Sequence, residues 1–231
     1  MTTTRRRFLA GAGTAVLGMA SFATTAGTST AVLEILHAAA GAPALDLYVD
    51  GVPLQPGLTF TQFSPRYRIT ARSWQLRVFL QGADPNGAPL ITVPIALDAN
   101  GRYLVALAGR DQQLEGVAYL EPAAPAAGRS TLRMINLDPG SPPIDVVDSA
   151  TNGILIGDVP YKVAKSATIP QANLALQLRQ TGTANVVVSI APTNFPERKI
   201  STIIRFAPDS ATRARAVNEA QPRQLIIKRS R

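Results

Sequence analysis

Apolar and polar positions alternate in short stretches along most of the chain, and turn-forming residues separate the stretches. Period-two or short apolar runs predict strands near residues 31–37, 44–49, 67–71, 75–81, 90–97, 103–108 and 114–119, because successive side chains of a strand face opposite ways. Asp50-Gly51 and Asn100-Gly101 are turn pairs suited to positive φ. The pattern recurs near 131–136, 144–147, 172–178, 186–190 and 201–206. "DSATRARAVNEA" then reads as a short helix capped by Asp209 and ended by Pro222, with "QLIIK" as a returning strand. The expected fold is all-β: two tandem Ig-like antiparallel β-sandwich domains with a short helix near the C-terminus.

The two runs of strands are related. "LEILHAAAGAPALDLYVDG" from Leu33 has a degraded counterpart 99 residues later in "LRMINLDPGSPPIDVVDSA" from Leu132. His37 falls on Asn136, Gly41 on Gly140, Pro43 on Pro142 and Asp46 on Asp145. A tandem duplication explains the match. It divides the chain into domains at 31–120 and 131–208, joined by a Pro/Ala linker at 121–130 and followed by a basic helix/strand segment at 209–231.

The first 26 residues have another character. Thr4-Arg5-Arg6-Arg7-Phe8-Leu9 resembles the twin-arginine export motif, with Arg5, Arg6, Phe8 and Leu9 as its defining residues. A modestly apolar run diluted by glycine follows, with small residues near Ala23 and Ala26 for cleavage. Residues 1–26 are therefore expected to be a signal peptide, cleaved or kept as a signal-anchor. Export places the protein on the periplasmic or extracellular side, where it would be soluble, peripheral or N-terminally anchored. With no cysteine, the chain has no disulfide framework despite that compartment.

The net charge of +8 raises the possibility of nucleic-acid binding, but the charge sits at the two ends. Residues 197–231 hold nine basic and three acidic residues, and the leader holds three arginines. The body between is nearly neutral and offers no phosphate-tracking face, so nucleic acid is not an expected partner. Arg213, Arg215, Arg223, Lys228, Arg229 and Arg231 are candidate contacts to an anionic membrane surface or an acidic partner. A solvated tail explains the same charge.

"LHAAAGAPALDLYVDG" is similar to the signature of the bacterial family called domain of unknown function 4397, which runs approximately V-H-A-S-P-D-A-P-x-V-D-V-Y-V-D-G. His37, Pro43, Asp46, Tyr48, Asp50 and Gly51 carry the likeness, while Ala39, Ala40 and Gly41 replace Ser-Pro-Asp. "FTQFSPRY" resembles a later family element, and the second half keeps mainly "PGSPPIDV". The resemblance implies exported or surface-attached β-sandwich modules, often in tandem, with no established reaction.

Chemistry is sparsely supplied. His37 is the sole imidazole, so any Ser-His-Asp catalyst must use it. Its counterpart Asn136 cannot act as a base, which favours an architectural hydrogen bond. The residue set lacks the usual ligands for zinc, copper, haem or iron–sulfur clusters, and no cofactor is expected. Calcium stays open through Asp46, Asp50, Asp138, Asp145 and Asp148, although Asp46 and Asp50 would lie roughly 13 Å apart on an extended strand. Trp74 is read as core, with carbohydrate stacking or a partner-facing hot spot as the alternatives. The expectation is a non-enzymatic envelope protein that binds another protein, as an extrinsic subunit on a membrane assembly. An adhesion or glycan-binding module and an enzyme of undetected class are the alternatives.

Overall fold

The computed structural model describes residues 29–207 and the backbone of 225–229. The leader, the helix expected at 209–221, and Arg213, Arg215, Arg223 and Arg231 lie outside the described residues. Those described contain sixteen strands and no helix.

In the first half, β1 (Thr30–Ala40), β4 (Tyr67–Thr70), β7 (Arg102–Arg110) and β8 (Gln113–Leu120) form a sheet ordered β4-β1-β7-β8. Facing it is β3-β2-β5-β6, from β2 (Leu45–Val49), β3 (Val52–Leu58), β5 (Ser73–Leu80) and β6 (Ile91–Ala96). The second half adds β9 (Arg129–Leu137), β10 (Ile144–Asp148), β11 (Ile154–Val159), β12 (Ala164–Pro170), β13 (Ala172–Gln180), β14 (Val186–Phe195), β15 (Ile200–Phe206) and β16 (Leu225–Arg229). Its sheets are ordered β12-β9-β15-β16 and β11-β10-β13-β14. Every strand of one half has a topological twin eight strands later in the other, the arrangement a duplicated gene produces.

Alternation builds each sandwich. Leu33, Ile35, Val105 and Leu107 of one sheet meet Leu45, Leu47, Leu76 and Val78 of the other. Leu132, Met134 and Ile203 meet Ile144, Val146, Leu176 and Leu178 in the second core. A third core joins the halves: Leu36, Ala38, Ala106 and Ala108 pack on Ile135, Leu137, Ile204 and Phe206. The β1/β7 and β9/β15 sheets thus lie back to back, each covered on both faces. Cross-half bonds reinforce the contact, with Tyr119 Oη donating to the Lys162 carbonyl at 2.9 Å, Arg133 to the Leu120 carbonyl at 3.1 Å, and Lys162 paired with Glu115.

Four features differ from expectation. The sheets are not antiparallel throughout, because β1 runs parallel to β7 and β9 parallel to β15. β1 also continues through Ala38–Ala40, past the expected end at residue 37; alanine fits there because two layers close on the strand. β3, β11 and β12 were not foreseen, since they are edge strands and β3 carries Pro53 and Pro56, which an edge tolerates. Finally, Asn100 has φ 61° but its partner Gly101 has no positive φ. Glycine is needed at 101 because a Cβ would crowd the Tyr103 ring and lie 3.0 Å from the Asp98 carbonyl.

Candidate functional site

The family-signature residues are not gathered into one site: His37, Asp46 and Asp50 hold separate backbone contacts, and Tyr48 packs on a neighbouring strand. His37 is fully buried, with Nε2 3.0 Å from the Pro43 carbonyl and Nδ1 3.4 Å from the Ala39 N–H. These partners fix the proton on Nε2. Asn136 repeats one of these contacts, accepting the Asp138 N–H on Oδ1 at 3.2 Å, but its Nδ2 donates to a different carbonyl, that of Val159 at the end of β11, at 3.2 Å. The amide and the imidazole thus share the contact two residues on, while each ties its strand to a different carbonyl.

The carboxylates behave in the same paired way. Asp46 accepts the Gly57 N–H at 2.7 Å and the Gly82 N–H at 2.8 Å. Asp145 accepts the Asp158 N–H at 2.7 Å, the Thr181 hydroxyl at 2.7 Å and the Gly182 N–H at 3.4 Å. Each carboxylate ties the end of one edge strand to the turn beyond the central strand. Asp50 accepts the Gln75 N–H and the Arg72 guanidinium, both at 2.9 Å, and its own φ of 47° followed by 82° at Gly51 closes the β2–β3 hairpin. The Gln75 amide and Arg72 hold the Asp50 carboxyl below its ordinary range, with partial desolvation opposing them. Tyr48 packs edge-on against Phe79 with centroids 5.4 Å apart. None of the hydrogen bonds of His37 runs to Asp46 or Asp50.

Burial pushes the His37 imidazole below its usual range, and the bond to Pro43 only partly offsets this. A histidine whose folded value is depressed keeps its full contribution to stability above the unfolded value near 6.5. That contribution is lost as pH falls, because the unfolded chain then binds the extra proton. We expect thermal denaturation to show Tm falling between pH 7 and pH 5, and His37→Asn, which copies Asn136, to reduce that dependence while keeping the fold.

Other features were not visible in the sequence. Arg205 is fully buried and pairs with Asp138 at 2.9 Å, and Arg110 from the first half reaches the same carboxylate at 3.6 Å. The duplication places Asp138 where the first half has Ala39, and strand pairing places Arg205 where it has Leu107. Trp74 packs against the first core, donates to the Thr70 carbonyl at 2.8 Å, and has the Arg72 guanidinium 3.3 Å over its ring. Among the described residues no group of three or more His, Asp or Glu side chains is gathered for a metal ion. No helix among them is long and apolar enough to cross a membrane.

Pairing also fixes what gathers at each end of the molecule. β1, β7, β9 and β15 begin at one end, where β16 finishes at Arg229 opposite Ser201. Three exposed apolar side chains lie there: Val52 and Ile154 at equivalent hairpin turns, 65% and 64% exposed, and Leu120, 57% exposed. Arg198 and Lys199 occupy the β14–β15 turn at this end and form no ion pair among the described residues. Between the halves, a cleft of about 430 Å³ is lined by Arg102, Leu120, Glu121, Pro122, Arg198 and Lys199, among others.

Comparison with solved structures gives slight likenesses. A Bacillus anthracis TIE protein is 9% identical at a TM-score of 0.23; the match covers 77% of this chain but only 34% of that one, so the chain spans about a third of its length. Family 41 carbohydrate-binding modules from streptococcal virulence factors, described for alpha-glucan recognition, match at 10% identity and a TM-score of 0.25 over 75% of this chain and 92% of theirs. The CBMbc module of Eubacterium rectale Amy13K, in complex with maltoheptaose, matches at 10% identity and a TM-score of 0.26 over 87% and 97%. Likenesses this slight bear on neither fold nor ligand. No curated protein sequence matches the chain. Residues 31–147, just over half of the 231, match the model of the domain of unknown function DUF4397, and the chain belongs to that family.

Proposed function

We propose that this is an exported, non-enzymatic envelope protein that docks on a protein partner through one end, as an extrinsic subunit of a membrane assembly. The observation that carries this reading is the composition of that end. Single exposed apolar side chains are commonplace, but Val52, Leu120 and Ile154 stand at the end that also holds Arg198 and Lys199, which form no ion pair among the described residues. Apolar side chains and cations presented at one end suit a partner surface that offers both apolar and acidic groups. The signature residues meanwhile are committed to turns, which leaves them little freedom for chemistry. β16 brings Lys228 and Arg229 to the same end, paired in register with Thr202 and Ser201. Export by the twin-arginine route, suggested by Arg5, Arg6, Phe8 and Leu9, accepts chains that have folded before crossing.

The glycan-binding alternative is weakened by Trp74, whose ring is covered by Arg72 and so offers no open stacking face. Native purification from gently solubilised membranes, followed by intact-mass spectrometry, tests the docking reading. The expected result is a complex with another protein that a high-salt wash dissociates, because exposed ionic contacts are screened. Recovery only as a free monomer at low salt contradicts it. The same spectrum reports whether residues 1–26 have been removed.

A further inference from the structure

The cleft between the halves is built from equivalent turns that have diverged. In the first half, the β6–β7 turn carries Asn100 at φ 61° followed by Gly101, and the Gly101 carbonyl accepts the Val32 N–H at 2.8 Å. In the second, Arg198 takes the same left-handed conformation at φ 56°, and the Lys199 carbonyl accepts the Thr131 N–H at 2.9 Å. Asparagine is at ease in that conformation and arginine is not, so the second turn has kept the backbone while placing a less suitable residue there. What it gains is a pair of cations facing the cleft. The carboxylate lining the cleft, Glu121, is engaged by Arg102, so Arg198 and Lys199 are left without an ion-pair partner among the described residues. The same cleft is lined by Leu120, 57% exposed, and the apolar Pro122 and Ala123 of the linker. A volume of about 430 Å³ falls within the range of small-molecule sites.

We propose that this cleft binds a small amphiphilic anion, with its charged head between Arg198 and Lys199 and its apolar body along Leu120, Pro122 and Ala123. The site shares Leu120, Arg198 and Lys199 with the proposed docking end but needs no protein partner, so binding of a small anion by the isolated chain is read independently of docking. Charged hydrogen bonds hold the head, and burial of the chain against Leu120 selects against a bare anion.

Isothermal titration of the chain with sodium octanoate tests this. One saturable site is expected, with octyl glucoside, which has the chain without the charge, and sodium acetate, which has the charge without the chain, each weaker by about tenfold or more. The Arg198→Asn/Lys199→Gln variant restores a residue suited to the left-handed turn, so it should keep the native Tm and lose octanoate affinity by about tenfold or more. Leu120→Glu, a change at an exposed position, should weaken octanoate comparably and serves if the double variant fails to fold. Phosphatidylglycerol vesicles form a separate arm. Octanoate affinity unchanged in the variants, equal affinity for octyl glucoside, or binding to vesicles without binding of octanoate would overturn the proposal.

Discussion

Replacing Asp138 with alanine is expected to destabilise the protein by about 3–5 kcal/mol, because Arg205 would be left fully buried without its partner 2.9 Å away. For a chain of this size the loss corresponds to a fall in Tm of roughly 10 °C in a thermal melt. The duplication supplies the control. The first half places Ala39 and Leu107 at the equivalent positions, both fully buried in its core. The double variant Asp138→Ala/Arg205→Leu therefore rebuilds an apolar solution that this fold already accepts. It should recover most of the loss, since an ion pair replaced as a unit by well-packed apolar groups is often neutral or stabilising. A double variant as unstable as Asp138→Ala alone would show that Arg110, which also reaches Asp138, or the repacked neighbours matter more than the pair itself.

Asp145→Ala is expected to cost about 2–4 kcal/mol, read from urea denaturation, because it orphans the Asp158 and Gly182 amides and the Thr181 hydroxyl together. Asp145 is only 5% exposed, so water replaces the carboxylate poorly. Asn at 145 can accept some of those bonds and should recover about half the loss. An effect below about 0.5 kcal/mol, the scale of an ordinary surface change, would remove the clamp from the account.

The duplication and most strands were legible in the sequence, because an interior that faces a core on one side imposes a period of two. Gly, Pro and Asp recurring at one offset gave the second half away even where its apolar residues had changed. The structure then adds a reason for those residues to persist: Asp46 and Asp145 make the same clamp in each half, and His37 and Asn136 each accept the amide two residues on. Edge strands were less visible. β3 has prolines and a single buried residue, Leu58, so no alternation marks it. The parallel pairing of β1 with β7 has no local signal, since parallel and antiparallel neighbours present the same side chains.

Contacts between the halves were hidden for another reason. Ala38–Ala40 looks like a small-residue loop until a second layer is placed over β1, and only then does alanine become the residue that fits. Arg205 sits in the apolar run "STIIRFA", where alternation assigns it to a core-facing position. Extending the repeat alignment one strand further, so that Arg205 met Leu107, would have marked it as a charge needing a buried partner. Arg198 could not have been found this way, because its left-handed backbone is a property of the turn and not of the composition. The basic residues 213, 215, 223 and 231 lie outside the described residues, whereas Arg198 and Lys199 place cationic character on a described turn.

The proposed docking end is tested most directly by site-specific photo-crosslinking in intact cells. A photoreactive residue at Val52 or Ile154 stands at the end bearing Arg198 and Lys199, while one at Asp111, in the β7–β8 turn, stands at the opposite end. Crosslinks to one envelope protein are expected from positions 52 and 154, absent when irradiation follows a high-salt treatment, and none from 111. Crosslinking to that protein from 111 with silence at 52 and 154 would contradict it.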